Sequence, residues 1–178
     1  MALPPEIAAT ILAISTVLLG AALGVPTFGI FLGWAAAALA SGGRATRMSI
    51  LGRCLVIGAL FGAGTLAAQA ALAQALGADV PLWVCTVIVL AIANPLMILL
   101  GRVPSFGSVP GMFIGFSTVL AVYLVDAAPI SGNVLGALLV AASTNLTGLG
   151  FNWLNGRMTG RPRVAQPGPE PADPTLMK

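Results

Sequence analysis

The chain has 178 residues, 58% of them hydrophobic and 7% charged, with a net charge of +3. A water-soluble domain carries about 25% charged residues, so a surface this apolar calls for a bilayer as solvent. Histidine is absent, and Cys54 and Cys85 have neither a CxxC partner nor a His companion, which argues against a zinc site and removes the commonest general base.

Six apolar spans of helical length follow in chain order. The first runs from about Ile7 to Gly24. Glu6 precedes it with no Lys or Arg, so it reads as a retained span, not a basic-flanked signal peptide. Gly24-Val25-Pro26 stops it, because proline lacks an amide proton and disfavours helix at the residue before it. The second span, about Phe28 to Ala40, is short and is broken by Ser41-Gly42-Gly43. The third covers about Ile50 to Leu76, and the fourth Pro81 to about Leu100, with Asn94-Pro95 inside it. The fifth runs from about Phe106 to Val125 and contains Pro110-Gly111. The sixth covers about Ile130 to Trp153. The membrane domain is thus residues 1–156. Residues 157–178, rich in proline and poor in apolar side chains, are expected to form a disordered cytoplasmic tail.

Charge fixes an orientation. Arg44 and Arg47 lie between spans two and three, with Arg53 just inside span three. Arg102 lies between spans four and five, and Arg157, Arg161 and Arg163 follow span six. With a cytoplasmic N-terminus, every one of these arginines falls inside, while Asp79 and Asp126 fall in the opposite loops. Both termini are then cytoplasmic.

Two halves share short phrases in the same order. Val25-Pro26-Thr27-Phe28-Gly29 recurs as Val103-Pro104-Ser105-Phe106-Gly107. Phe31-Leu32-Gly33-Trp34 matches Phe113-Ile114-Gly115-Phe116, and Leu51-Gly52 with Leu55-Val56 matches Leu135-Gly136 with Leu139-Val140. A duplicated unit of three spans, an odd number, must lie upside down relative to its copy. The expected fold is an all-α integral membrane protein, six transmembrane helices arranged as two inverted three-helix repeats, about 7–76 and 81–153.

The stretch from Ser105 to Gly115, with Gly29-Ile30-Phe31-Leu32-Gly33, resembles a family of small bacterial inner-membrane proteins catalogued as domain of unknown function 1097. The resemblance covers roughly residues 7–155. It implies a compact multi-span protein of the bacterial inner membrane and supplies no catalytic or binding residues.

Candidate pore or helix-break residues are Pro26, Phe31, Asn94, Pro95, Pro110, Gly111, Phe113 and Asn145. Pro95 frees a backbone carbonyl one turn earlier, and Asn94 places an amide at the same depth. Pro26 and Pro110-Gly111 precede or open helices whose free N–H groups can face a polar solute. The alternative for this region is tight packing, since Gly29-x-x-x-Gly33 and Gly111-x-x-x-Gly115 let backbones approach. Phe31 and Phe113 occupy matching positions and are expected as apolar constrictions. Asn145 belongs to a polar patch, Ser143-Thr144-Asn145 with Thr147, of a kind that usually bonds between helices.

No Asp, Glu, Lys or His lies in the middle of a span, so side-chain proton coupling is not expected. No nucleophile–base pair or metal cluster is apparent, which argues against an enzyme and against a cofactor. Scattered arginines without aromatic interleaving argue against nucleic acid. The reading that fits is a passive channel or facilitator for a small neutral or weakly polar solute, embedded in the bilayer as a homo-oligomer. The other reading is a non-transporting membrane protein that supports assembly or regulation of a partner. The topology is testable: a cysteine placed at Ser41 should react with an impermeant thiol reagent only from the cytoplasmic side, and one at Ala127 only from the outside. Labelling of the Ser41 position from outside would reject the orientation.

Overall fold

The six apolar runs become six helices. The computed structural model describes residues 3–40, 45–77, 79–125 and 132–160. In order they form α1 (Pro5–Leu23), α2 (Thr27–Ala40), α3 (Ala45–Leu76), α4 (Leu82–Leu100), α5 (Val109–Leu124) and α6 (Val134–Met158). A 3-10 turn at Pro104–Phe106 precedes α5, and no strand occurs among the described residues. Arg44, Asp126, Arg161, Arg163 and the proposed tail from 161 onward lie outside the described residues.

Helix ends follow local chemistry. Pro5 opens α1, where a missing amide proton costs nothing. Gly24 closes it in the left-handed conformation, φ 64°, with its N–H donating to the Gly20 carbonyl. The Ser108 hydroxyl caps α5 by accepting from the Gly111 N–H at 3.3 Å. Asn133 does the same for α6 through the Gly136 N–H at 3.0 Å. Pro95 sits inside α4, yet α4 is continuous from Leu82 to Leu100, so the helix break expected there does not occur.

Four helices, α1, α3, α4 and α6, are long and apolar enough to cross a membrane. The other two are shorter. α2 has 14 residues and α5 has 16, which rise about 21 and 24 Å against a hydrocarbon core of about 30 Å. α2 cannot begin before Pro26. α5 loses its first turn to the Pro104–Phe106 segment and the Ser108 cap, which is why it starts at Val109 and not near Phe106.

The core is organised around α3, which contributes to all three buried clusters. Ala59 and Ala63 pack with Val119, Val122, Ala137 and Ala141. Leu51 and Leu55 pack with Ala36, Ala37 and Leu149. Cys54 packs with Met97, Met112 and Phe116. α1 and α4 lie at the periphery, α1 against α2 and α6, α4 mainly against α3. Their outer faces are bare aliphatic ridges; Ile7, Ile11, Ile14 and Leu18 on α1 are exposed, as are Val87, Ile92 and Leu96 on α4. Apolar patches of this extent are suited to lipid and not to water.

Helix directions can be followed through the contacts. Cys54 lies against Gly111, Leu55 against Gly115 and Gly62 against Phe116, so α3 and α5 run parallel. Gly29 lies against Thr144 and Trp34 against Gly148, so α2 and α6 run parallel as well. Gly52 approaches Leu149 while Ala63 shares a cluster with Ala137, so α3 runs against α6. The Leu3 N–H donates to the Met158 carbonyl at 2.8 Å, which sets the start of α1 beside the end of α6.

Backbones touch at both parallel pairs. A Cβ at Gly33 would overlap the Asn145 carbonyl, and one at Gly148 would overlap the Ile30 carbonyl. A Cβ at Gly115 would overlap the Leu55 carbonyl, and one at Gly58 the Met112 carbonyl. The shared phrase that carries Gly33 and Gly115 thus lies at a backbone contact both times. The other two phrases do not. Thr27-Phe28-Gly29 is the first turn of α2, whereas Ser105-Phe106-Gly107 ends the 3-10 turn before α5. Leu51 is 2% exposed and Leu135 62% exposed. Gly29 and Gly111 each lie four residues before a glycine in backbone contact, Gly33 and Gly115, whereas Gly107 lies before α5.

Gly58→Ala and Gly115→Ala should each cost about 1–3 kcal/mol through forced overpacking. Gly64→Ala, where an added methyl meets open space, should stay near wild type. Unfolding midpoints in a mild detergent check the contrast.

Candidate polar site in the bundle core

Five polar side chains are buried among the described residues, and three of them meet on the inner faces of α5 and α6. Thr118 is 0% exposed, Thr144 3% and Asn145 0%. Thr118 continues the stripe of Gly111 and Gly115, so the close approach of α5 turns its hydroxyl inward. Thr144 and Asn145 lie beneath Gly29 and Gly33 of α2, which cover them with backbone.

The Thr118 hydroxyl is 2.7 Å from the Ile114 carbonyl and 3.4 Å from Asn145 Oδ1. A hydroxyl has one proton, and the shorter bond takes it. The longer contact is better served with the Asn145 amide turned over, so that Nδ2 donates to the Thr118 oxygen. As drawn, Asn145 Nδ2 has no hydrogen-bond partner, so one end of a fully buried amide is bare. Thr144 satisfies itself on the Val140 carbonyl at 2.7 Å. The cluster is therefore neutral, with a spare donor or acceptor but no ionisable group.

The other candidates are dispersed. Asn94 lies on α4 on the same face as Leu90 and Met97, and its Oδ1 is also buried without a partner. α5 stands between Asn94 and Asn145, since Phe116 faces the Met97 cluster and Thr118, about 200° round the helix, faces Asn145. Pro95 is exposed on α4, and Pro26 lies in the link between α1 and α2. Pro110 lies in the first turn of α5, and Gly111 is buried against Leu51 and Cys54. Phe31 is 38% exposed and stacks on Trp34, ring centroids 6.4 Å apart. Phe113 packs against the Cys54 and Met97 cluster. The two Phe rings do not face each other, so they form no paired constriction.

Thr118 was not apparent as a site residue from sequence, although its spacing from Gly111 and Gly115 is the signal that reveals it. Cys54 and Cys85 are free thiols. Cys54 packs with Met97, which is twelve residues and about 18 Å along α4 from Cys85. Among the described residues no group of three His, Cys, Asp or Glu side chains is placed to hold a metal. At the end of α6 the Arg157 guanidinium stands 4.2 Å over the Trp153 ring.

An all-helical bundle with lipid-suited outer faces and a neutral polar cluster at its centre defines a polytopic membrane protein. The chain belongs to the family of proteins of unknown function designated DUF1097, whose model matches residues 6–160. Neither a curated protein nor a solved structure matches it.

Thr118→Val should destabilise the bundle by about 0.6 kcal/mol, the mean for such bonds between membrane helices. Asn145→Leu keeps the branched shape at larger volume and removes the unpartnered amide end, so the two effects oppose and the net change should be small. In the Asn145→Leu background Thr118→Val should lose most of its effect. A double-mutant cycle on unfolding in detergent measures the coupling.

Proposed function

We propose that the chain is a passive channel or facilitator for a small neutral or weakly polar solute, working as a homo-oligomer in a bacterial inner membrane. The observation that carries this is the Asn145 amide, fully buried at the bundle centre with one end bare. A polar group at membrane depth without a partner is costly, and it is used where a solute or water meets it. Absence of charge in the cluster suits a neutral solute with its own donor and acceptor, such as an amide or a polyol. In this proposal Asn145 and Thr118 take the place that the sequence assigned to Asn94 with Phe31 and Phe113. No enzymatic role is assigned.

The architecture proposed is a pair of inverted three-helix repeats with six crossings and both termini cytoplasmic. Alternating helix directions support it, because α2 and α5 run oppositely, as do α3 and α6. The recurrent pairings support it too: α2 on α6 and α5 on α3 are the same contact with the halves exchanged. The hydrogen bond from Leu3 to Met158 is consistent with termini on one side. Under this arrangement the short α2 and α5 cross where the arginine distribution requires them to.

One observation favours the second reading, a non-transporting protein that supports assembly or regulation of a partner. Gly33 and Gly148 close the α2–α6 crossing backbone to backbone directly over Asn145, which suits a rigid scaffold. Liposome swelling with urea, glycerol and small amides separates the two. The facilitator reading expects flux above empty liposomes and a fall of tenfold or more in Asn145→Leu at unchanged stability. Absence of flux from wild-type protein, with the bundle folded, decides for the scaffold.

A further inference from the structure

A second feature lies away from the core cluster, at the end of the bundle where α6 finishes. α4 and α5 cover the Cys54 side of α3, and α2 covers the Thr144 side of α6. What stays open on these two helices is one shared outward face. It carries Arg53 and Leu60 from α3, and Leu146, Gly150, Trp153 and Arg157 from α6, all exposed. Gly52 approaches Leu146 and Leu149, which sets the register of the two helices. Arg53 follows Gly52 directly, and Arg157 lies eight residues past Leu149, about 12 Å along α6.

A helical side chain leans toward the N-terminus of its own helix. α3 and α6 are antiparallel, so Arg53 and Arg157 lean towards each other along this face. Arg157 shows the lean, since its guanidinium stands 4.2 Å over the ring of Trp153, four residues back. Stacking occupies the flat side of the guanidinium and leaves its N–H edge free, the edge that takes a phosphate through two parallel hydrogen bonds. Glu6 and Asp79 are the acidic residues among those described, and neither forms an ion pair with these arginines. Two cations without a counter-charge therefore stand at the rim of an apolar surface.

We infer that the α3–α6 face binds an anionic phospholipid, whose headgroup oxygens accept hydrogen bonds from Arg157 and Arg53 and whose acyl chains lie on Gly150, Leu146 and Leu60. The surroundings select the lipid form of phosphate over a soluble one. Trp153 is a residue type of the membrane–water boundary, and the surface beyond it, Gly150 and Leu146, suits chains and not water. A Cβ added at Gly150 would meet nothing within 4 Å, so the face is indented beside the indole. Basic side chains between membrane helices at the boundary are where anionic headgroups settle. Arg102 is the comparison within the chain, because it is exposed and has the same charge but no ring beneath it. The inference rests on membrane embedding alone and is independent of transport.

The test uses the full chain in phosphatidylcholine nanodiscs, with phosphatidylglycerol and phosphatidylcholine probes that each carry a diazirine on one acyl chain. At equal mole fraction the phosphatidylglycerol probe should label peptides spanning residues 53–60 and 146–153 about tenfold more than the phosphatidylcholine probe. Arg53→Gln and Arg157→Gln should each cut that preference about fivefold. Both side chains are exposed, so the unfolding midpoints of these variants should match wild type. Arg102→Gln removes the same charge and should leave the preference within about twofold, because salt screens it from the face. Equal labelling by the two probes, or an equal fall in Arg102→Gln, overturns the site in favour of general surface charge. Loss of the preference in millimolar inorganic phosphate overturns the lipid as occupant in favour of a soluble anion.

Discussion

The constraint on which this bundle depends is that two pairs of helices touch backbone to backbone. Gly33 and Gly148 join α2 to α6, and Gly58 and Gly115 join α3 to α5. In lipid, apolar side chains gain little by turning inward, so helix association rests on close packing and a few polar contacts. Glycine supplies the close packing by removing the Cβ that would hold the axes apart. Every buried cluster then forms around these crossings. Short α2 and α5 keep their places because each is clamped along its length by a longer neighbour.

The two crossings share a geometry and differ in chemistry. Gly111 and Gly115 of α5 rest on Cys54 and Leu55. Gly29 and Gly33 of α2 rest on Thr144 and Asn145. The same seat thus holds an apolar pair in one half and a polar pair in the other. The polar version gives up some stability, since an amide end goes without a partner. It also fixes that amide rigidly, because backbone covers it and Thr118 pins its other end. A buried amide with an unpartnered end is what separates this crossing from the α3–α5 crossing.

Much of the helical content was legible because apolar runs bounded by Pro and Gly leave few alternatives. The third, fourth and sixth spans end or begin within a few residues of the helices formed. The sequence puts the start of α5 near Phe106 because that residue is as apolar as the helix that follows; the deciding residue is Ser108, whose hydroxyl accepts from the Gly111 N–H. Pro95 was expected to break α4 and does not, since a proline on an exposed face removes one hydrogen bond without obliging the helix to end. Of the shared phrases only the one that carries Gly33 and Gly115 falls at backbone contacts in both places. Gly33 and Gly115 match because packing demands it, while Leu51 and Leu135 share only a residue type. At the core site, Asn145 was visible as part of a polar patch. Thr118 was not, because a lone threonine in an apolar helix most often bonds its own backbone and carries no outward sign when it does something else.

The pairing of α2 with α6 has a consequence for how the protein is made. More than a hundred residues separate Gly33 from its seat at Asn145, so α2 is made well before α6. Until α6 is made, the glycine face of α2 has no backbone to rest on and α2 lacks its clamp. The first half is therefore made as an unfinished object, and the α2–α6 crossing closes only once α6 is present.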